Sequence, residues 1–212
     1  MDKIQRAKII LKILNKLYPK TPIPLKHRNK YTLLVSVLLS AQTTDVNVNN
    51  VTRNIYPKFN KPEHFVKLGQ RKIENLIKSI GIFRVKAKSV YLLSKLLIEK
   101  HNGKVPSNFE DLYALPGVGK KTASVVLNEG FGLPTIAVDT HVFRVSNRTG
   151  LAPGKNPDEV QEKLYKVVPK KYLKKAGHTI LLHGRYTCKA RAPSCKTCVI
   201  IKYCKYNSKE LR

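Results

Sequence analysis

The sequence predicts an all-α protein, and three observations carry that expectation. Apolar residues recur at helical spacing along most of the chain, strand-like alternation is absent, and no Asn-Gly or Asp-Gly pair sits between alternating segments. With 212 residues and 42% hydrophobic content, the chain can bury one large core or two small ones.

Taken in order, Ile10, Ile13, Leu14 and Leu17 mark one face of a first helix, which Pro19, Pro22 and Pro24 end. Residues 31–41 are apolar almost all round and read as a buried central helix. Ile73, Leu76, Ile77 and Ile80 repeat the amphipathic spacing, and Gly81 stops that helix. Residues 87–97 form another helix, and His101-Asn102-Gly103 reads as its stop. Ser107 and Glu110 have capping-box spacing before a short helix that ends near Leu115. A further helix covers 121–128, and a helical pattern follows Asp139. Asn156, Pro157 and Glu159 mark another start, with Asn at the N-cap and Pro in the first turn.

Charge narrows the function. The chain carries 41 Lys+Arg against 13 Asp+Glu, a formal net charge of +28. A polyanion would offset that self-repulsion, and nucleic acid is the first candidate because each neutralised phosphate releases counterions. A lysine-rich composition without functional meaning is the plainer alternative. No segment approaches the roughly 18 continuous apolar residues of a membrane span, and the N-terminus lacks the apolar run of a secretory signal. The expectation is an intracellular protein, where clustered cysteines bind metal more often than they form disulfides.

Two motifs point to chemistry on nucleic acid. Leu115-Pro116-Gly117-Val118-Gly119-Lys120-Lys121-Thr122-Ala123 joins two short helices. Gly117 and Gly119 let the backbone approach a partner, and the helix start behind them favours an anion such as a DNA phosphate. Lys120 suits a point contact to phosphate. Lys121 lies in the first helical turn, where the positive helix end disfavours an ammonium and promotes the neutral, nucleophilic amine. Downstream, Val138-Asp139-Thr140-His141-Val142-Phe143-Arg144-Val145 places Asp139 at a helix start. There it serves as an N-cap and is also a rigid carboxylate able to stabilise a developing cation or assist proton transfer. Cys188, Cys195, Cys198 and Cys204 have six, two and five residues between them, a four-thiolate set that suits either tetrahedral zinc or an iron–sulfur cluster. Lys189 and Arg191, between the first two cysteines, are candidates to face phosphates.

These motifs, with Leu38-Leu39-Ser40-Ala41-Gln42-Thr43-Thr44-Asp45 and His183-Gly184-Arg185-Tyr186-Thr187-Cys188, in this order and over essentially the whole chain, resemble the endonuclease III family of bifunctional DNA glycosylases and abasic-site lyases. The resemblance implies the helix–hairpin–helix DNA glycosylase fold. Residues 22–132 would form a six-helix barrel, with the helix–hairpin–helix at about 108–127. Residues 1–21 with 133–212 would form a helical domain holding a [4Fe–4S] cluster on the four cysteines, and the active site would lie between the two. It further implies that Lys121 attacks C1′ of an oxidised pyrimidine nucleotide flipped out of double-stranded DNA, that Asp139 is the catalytic aspartate, and that β-elimination through a Schiff base breaks the strand 3′ to the lesion. Gln42 and Ile82 would fill the gap left by the flipped nucleotide. A monomer in the cytoplasm, associated with the nucleoid, is expected. Mismatch-specific adenine glycosylases of the superfamily typically carry Ser at the lysine position and a catalytic Glu near that of Gln42. Here Lys121 is present, and residues 38–45 contain no Glu.

Overall fold

The computed structural model describes residues 1–207, and among them the regular elements are ten α-helices and two short 3-10 turns. The chain divides into two compact units: Ile23–Gly132, and Met1–Pro22 with the residues from Leu133 onward.

The first unit holds six helices: α2 (Lys30–Leu39), α3 (Asp45–Ile55), α4 (Pro62–Leu76), α5 (Phe83–His101), α6 (Phe109–Tyr113) and α7 (Lys120–Phe131), with α1 (Lys3–Leu17) lying in the other unit. Residues 31–39 of α2 are buried on every side, as a continuous apolar run requires of a central helix. Asn29 and Thr32 close its N-terminus with a reciprocal capping box. Its few polar groups are paired across the core: Tyr31 Oη lies 2.7 Å from Ser94 Oγ on α5, and Tyr56 Oη lies 2.7 Å from Ser36 Oγ. Around α2 pack Phe65 and Ile73 of α4, and Leu93 and Leu97 of α5.

The second unit contains α1 (Lys3–Leu17), α8 (Thr140–Thr149), α9 (Pro157–Val167) and α10 (Lys170–Tyr186), followed by 3-10 turns at Cys195–Thr197 and Ile201–Tyr203. Helix α10 packs on α8 and α1. Gly184 permits the close approach to α8, since a Cβ there would lie 2.9 Å from His141 Cβ. Buried Arg6 ties the N-terminal helix to the C-terminal segment by donating to the carbonyls of Thr149 (2.9 Å), Gly150 and Tyr203 (3.4 Å).

Several local expectations need correction. The buried stripe of α1 is Ala7, Ile10, Leu11 and Leu14, and Leu17 is exposed, so the seam runs one step N-terminal of the expected face. Helix α4 ends at Leu76, which is exposed, while Ile77 and Ile80 are buried from the turn that follows. The N-cap of α6 is Asn108 rather than Ser107: its side chain accepts from the Asp111 N–H at 2.8 Å, a stronger cap one residue further on.

Candidate active site

Helix α7 begins from a hairpin that is crowded at Gly117 and open at Gly119. Val118 donates to Leu115 O at 3.0 Å, and both residues are buried and anchor the turn. Gly117 sits at φ +77°, and a Cβ there would lie 2.6 Å from Ser89 Cβ on α5 and 3.1 Å from Leu38 Cδ1 on α2. Only glycine satisfies both the left-handed backbone and the contact. Gly119, the N-cap of α7, is exposed, and a Cβ there would meet nothing within 4 Å. The fold therefore does not require glycine at 119, whereas a close backbone partner would. Lys120 and Lys121 are the first two residues of α7, and both are exposed. The Lys121 side chain is open to approach at the start of α7.

Gln42 and Ile82 belong to the same unit, and the structure brings their loops together. A Cβ on Gly81 would lie 3.6 Å from both Gln42 O and Thr43 Oγ1. Both residues are exposed, and both hold left-handed backbone, Gln42 at φ 54° and Ile82 at φ 50°. A β-branched residue in that region is strained, and such strain persists where surrounding contacts impose it. Sequence reasoning missed the residue between them. Lys86, one turn into α5 and almost wholly buried, donates from Nζ to Leu39 O (2.9 Å), Ala41 O (2.6 Å) and Thr43 Oγ1 (3.3 Å). Burial pushes its pKa below the ordinary lysine value.

Asp139 lies in the other unit and caps α8: its Oδ1 accepts from the Val142 N–H at 2.7 Å. The cysteines belong to that unit as well. All four are free thiols and line one cavity with His183, Thr187 and Tyr206 among others. Burial, reinforced by the neighbouring cysteines, raises the thiol pKa of Cys198 and of Cys204. A soft cation would be needed to hold them as thiolates. His183 Nε2 lies 3.6 Å from Cys198 Sγ, and burial lowers this imidazole to about 4, so it is neutral near pH 7.

Two further residues, to which the sequence reading gave no role, hold the segment between Cys188 and Cys195. Arg144 donates to Cys188 O (3.1 Å) and Gly184 O (2.9 Å). Arg148, one turn further along α8, donates to Lys189 O (2.6 Å) and Ala190 O (2.9 Å) and approaches Cys188 Sγ at 3.7 Å. Their spacing of four on a helix facing the cysteines was the available sign. With its backbone held, the segment leaves the Lys189 and Arg191 side chains exposed.

Residues 35–170 match the family described as HhH-GPD superfamily base excision DNA repair protein. The chain is 49% identical over 212 residues to endonuclease III of Escherichia coli (strain K12), covering 99% of each. It is 48% identical over 197 residues to endonuclease III of Rickettsia conorii, covering 93% of this chain and 94% of that one. Among solved structures, it is similar to a trapped endonuclease III–DNA covalent intermediate, with TM-score 0.92, 40% identity and full coverage of both chains. A thermostable thymine-DNA glycosylase shares the fold at TM-score 0.86 and 24% identity, covering 95% of this chain and 96% of that one.

Proposed function

The chain belongs to the HhH-GPD superfamily of base excision DNA repair proteins and, within it, to the endonuclease III family, and from that premise we propose that Lys121 and Asp139 carry its reaction. It is an enzyme, a DNA glycosylase with abasic-site lyase activity. The observation that carries the assignment to Lys121 is its place: an exposed amine in the first turn of α7, directly behind a glycine hairpin whose outer glycine has open space before it.

The hairpin and the start of α7 hold a backbone phosphate beside the lesion, with Lys120 adding charge. The lesion is an oxidised pyrimidine, flipped out of double-stranded DNA while Gln42 and Ile82 fill the space it leaves. The neutral Lys121 amine attacks C1′, and the bond from C1′ to the base breaks as the base departs with the bonding pair. The Asp139 carboxylate stabilises positive charge developing at C1′ and relays protons. Loss of the sugar-ring oxygen from C1′ gives the imine between Lys121 and C1′. A proton leaves C2′, the C3′–O bond breaks, and the phosphate departs, which cuts the strand 3′ to the lesion.

Cys188, Cys195, Cys198 and Cys204 would hold a [4Fe–4S] cluster. Their soft donors line one cavity, as a four-thiolate centre requires, and the endonuclease III relatives favour the cluster over one zinc ion. Bound there, the cluster supplies cross-linking of the C-terminal segment, which keeps Lys189 and Arg191 available for phosphates. The purified protein is expected to be brown, with iron and acid-labile sulfide; a colourless protein holding one zinc would contradict this. No described helix is long and apolar enough to cross a membrane. With genomic DNA as substrate, the reading places a monomer in the cytoplasm at the nucleoid.

The function is tested on end-labelled duplex DNA with one oxidised pyrimidine. The protein should release the base and nick the strand together, and Lys121→Gln should lose at least about 100-fold of both activities. Base release that leaves the strand intact would contradict the lyase step.

A further inference from the structure

Two neighbouring loops of the Ile23–Gly132 unit carry exposed residues on left-handed backbone, and one buried lysine bonds to both. Lys86 has three N–H donors, and each has a partner: the carbonyls of Leu39 and Ala41 and the hydroxyl of Thr43. The first two are carbonyls at and beyond the C-terminus of α2, where a cation is favoured. These three acceptors bracket Gln42, whose φ of 54° lies in the left-handed region. The backbone N–H of Lys86 donates to Ile82 O at 3.2 Å, so Ile82 is the first residue of the turn that Lys86 completes. Asn47 Nδ2 donates to Ser79 O at 3.1 Å and ties the same two segments a second time. No sequence motif marks Lys86, because two of its partners are backbone atoms.

We propose that Lys86 is a positioning residue for base flipping: its ammonium holds the Gln42 loop in its left-handed turn, at a fixed separation from Ile82. This rests on the reading of Gln42 and Ile82 as the side chains that fill the gap in the duplex. Lys86 is 3% exposed, so it reaches the DNA only through those two residues. Without its charge, the carbonyls of Leu39 and Ala41 lose their donor, and the Gln42 turn keeps only its backbone bond from the Thr43 N–H to Ser40 O (3.2 Å), so it relaxes.

The test compares single-turnover rates on two substrates that share the Lys121 chemistry. One is an oxidised pyrimidine in duplex DNA, which must be flipped. The other is an abasic site in single-stranded DNA, which needs no flipping. Lys86→Met is expected to lower the duplex rate by about 30-fold or more and the single-strand rate by less than about 3-fold. Added to Ile82→Ala, it should lower the duplex rate by less than about 3-fold further, because both changes disable one step. Thr43→Val removes one acceptor with little disturbance to the core and should move the duplex rate alone by about 3- to 5-fold; it decides the matter if Lys86→Met fails to fold. Equal losses on both substrates would show that Lys86 is merely structural and overturn the proposal. If Gln42→Ala and Ile82→Ala leave the ratio of the two rates unchanged, the gap-filling reading itself fails. If those two change the ratio while Lys86→Met and Thr43→Val do not, only the role of Lys86 fails.

Discussion

Replacing Asp139 by Asn separates its two roles, because Asn caps a helix as well as Asp but carries no charge. The carboxylate accepts the Val142 N–H at 2.7 Å, and an amide oxygen can accept the same bond. Asp139→Asn should therefore keep the melting temperature close to that of the parent while lowering base release by about 100-fold. Asp139→Ala should lose the activity and also about 1 kcal/mol of stability, within the usual range for a lost cap. Thermal unfolding of the two variants beside their turnover rates checks the division; full activity in Asp139→Asn would leave Asp139 a cap alone. Legibility at this scale differs sharply between lysines. Lys121 stands out in the sequence because a glycine hairpin precedes it and a capping Asp follows. Lys86 is one of 41 Lys+Arg residues, and its partners are two carbonyls and a hydroxyl that only the folded chain brings within reach. Arg144 and Arg148 showed only their spacing of four on one helix, since their backbone acceptors leave no trace in a sequence.

Within the hairpin and α7, the two glycines answer to different demands, and alanine should expose the difference. At Gly117 a Cβ meets Ser89 at 2.6 Å on a left-handed backbone, so Gly117→Ala should cost about 2–4 kcal/mol from strain and overpacking together. At Gly119 the backbone is at φ −89° with nothing near a new Cβ, so Gly119→Ala should cost no more than about 1 kcal/mol, the difference between glycine and alanine as an N-cap. It should nevertheless weaken DNA binding by about 10-fold, if a phosphate approaches that backbone closely. Chemical denaturation paired with a DNA-binding titration distinguishes the two; unchanged affinity in Gly119→Ala would remove the phosphate from this site. Helices with wide apolar faces, such as α2, were plain in the sequence. Helix α3 was not: its buried face is only Val48, Thr52 and Ile55, among asparagines that favour turns and caps. Helix α10 was hidden because Ile180 is the one large aliphatic among its buried residues, the others being Ala176, Thr179, His183 and Gly184, small or polar residues that apolar periodicity does not register.

For the molecule as a whole, the all-α fold and its family were legible because the motifs run the length of the chain. The +28 charge fits a polyanionic partner but does not locate where it binds, and the exposed lysines spread over both units. The oxidised base that is accepted depends on pocket shape, to which no motif corresponds. Lys121 belongs to one compact unit and Asp139 to the other, so the proposed chemistry takes a residue from each. The most direct test of the central claim is reduction by borohydride during turnover on duplex DNA holding an oxidised pyrimidine or an abasic site. A covalent protein–DNA adduct is expected, with a cross-link that maps to Lys121 and that Lys121→Gln abolishes. An absent adduct, or one that forms undiminished in Lys121→Gln, would contradict that claim.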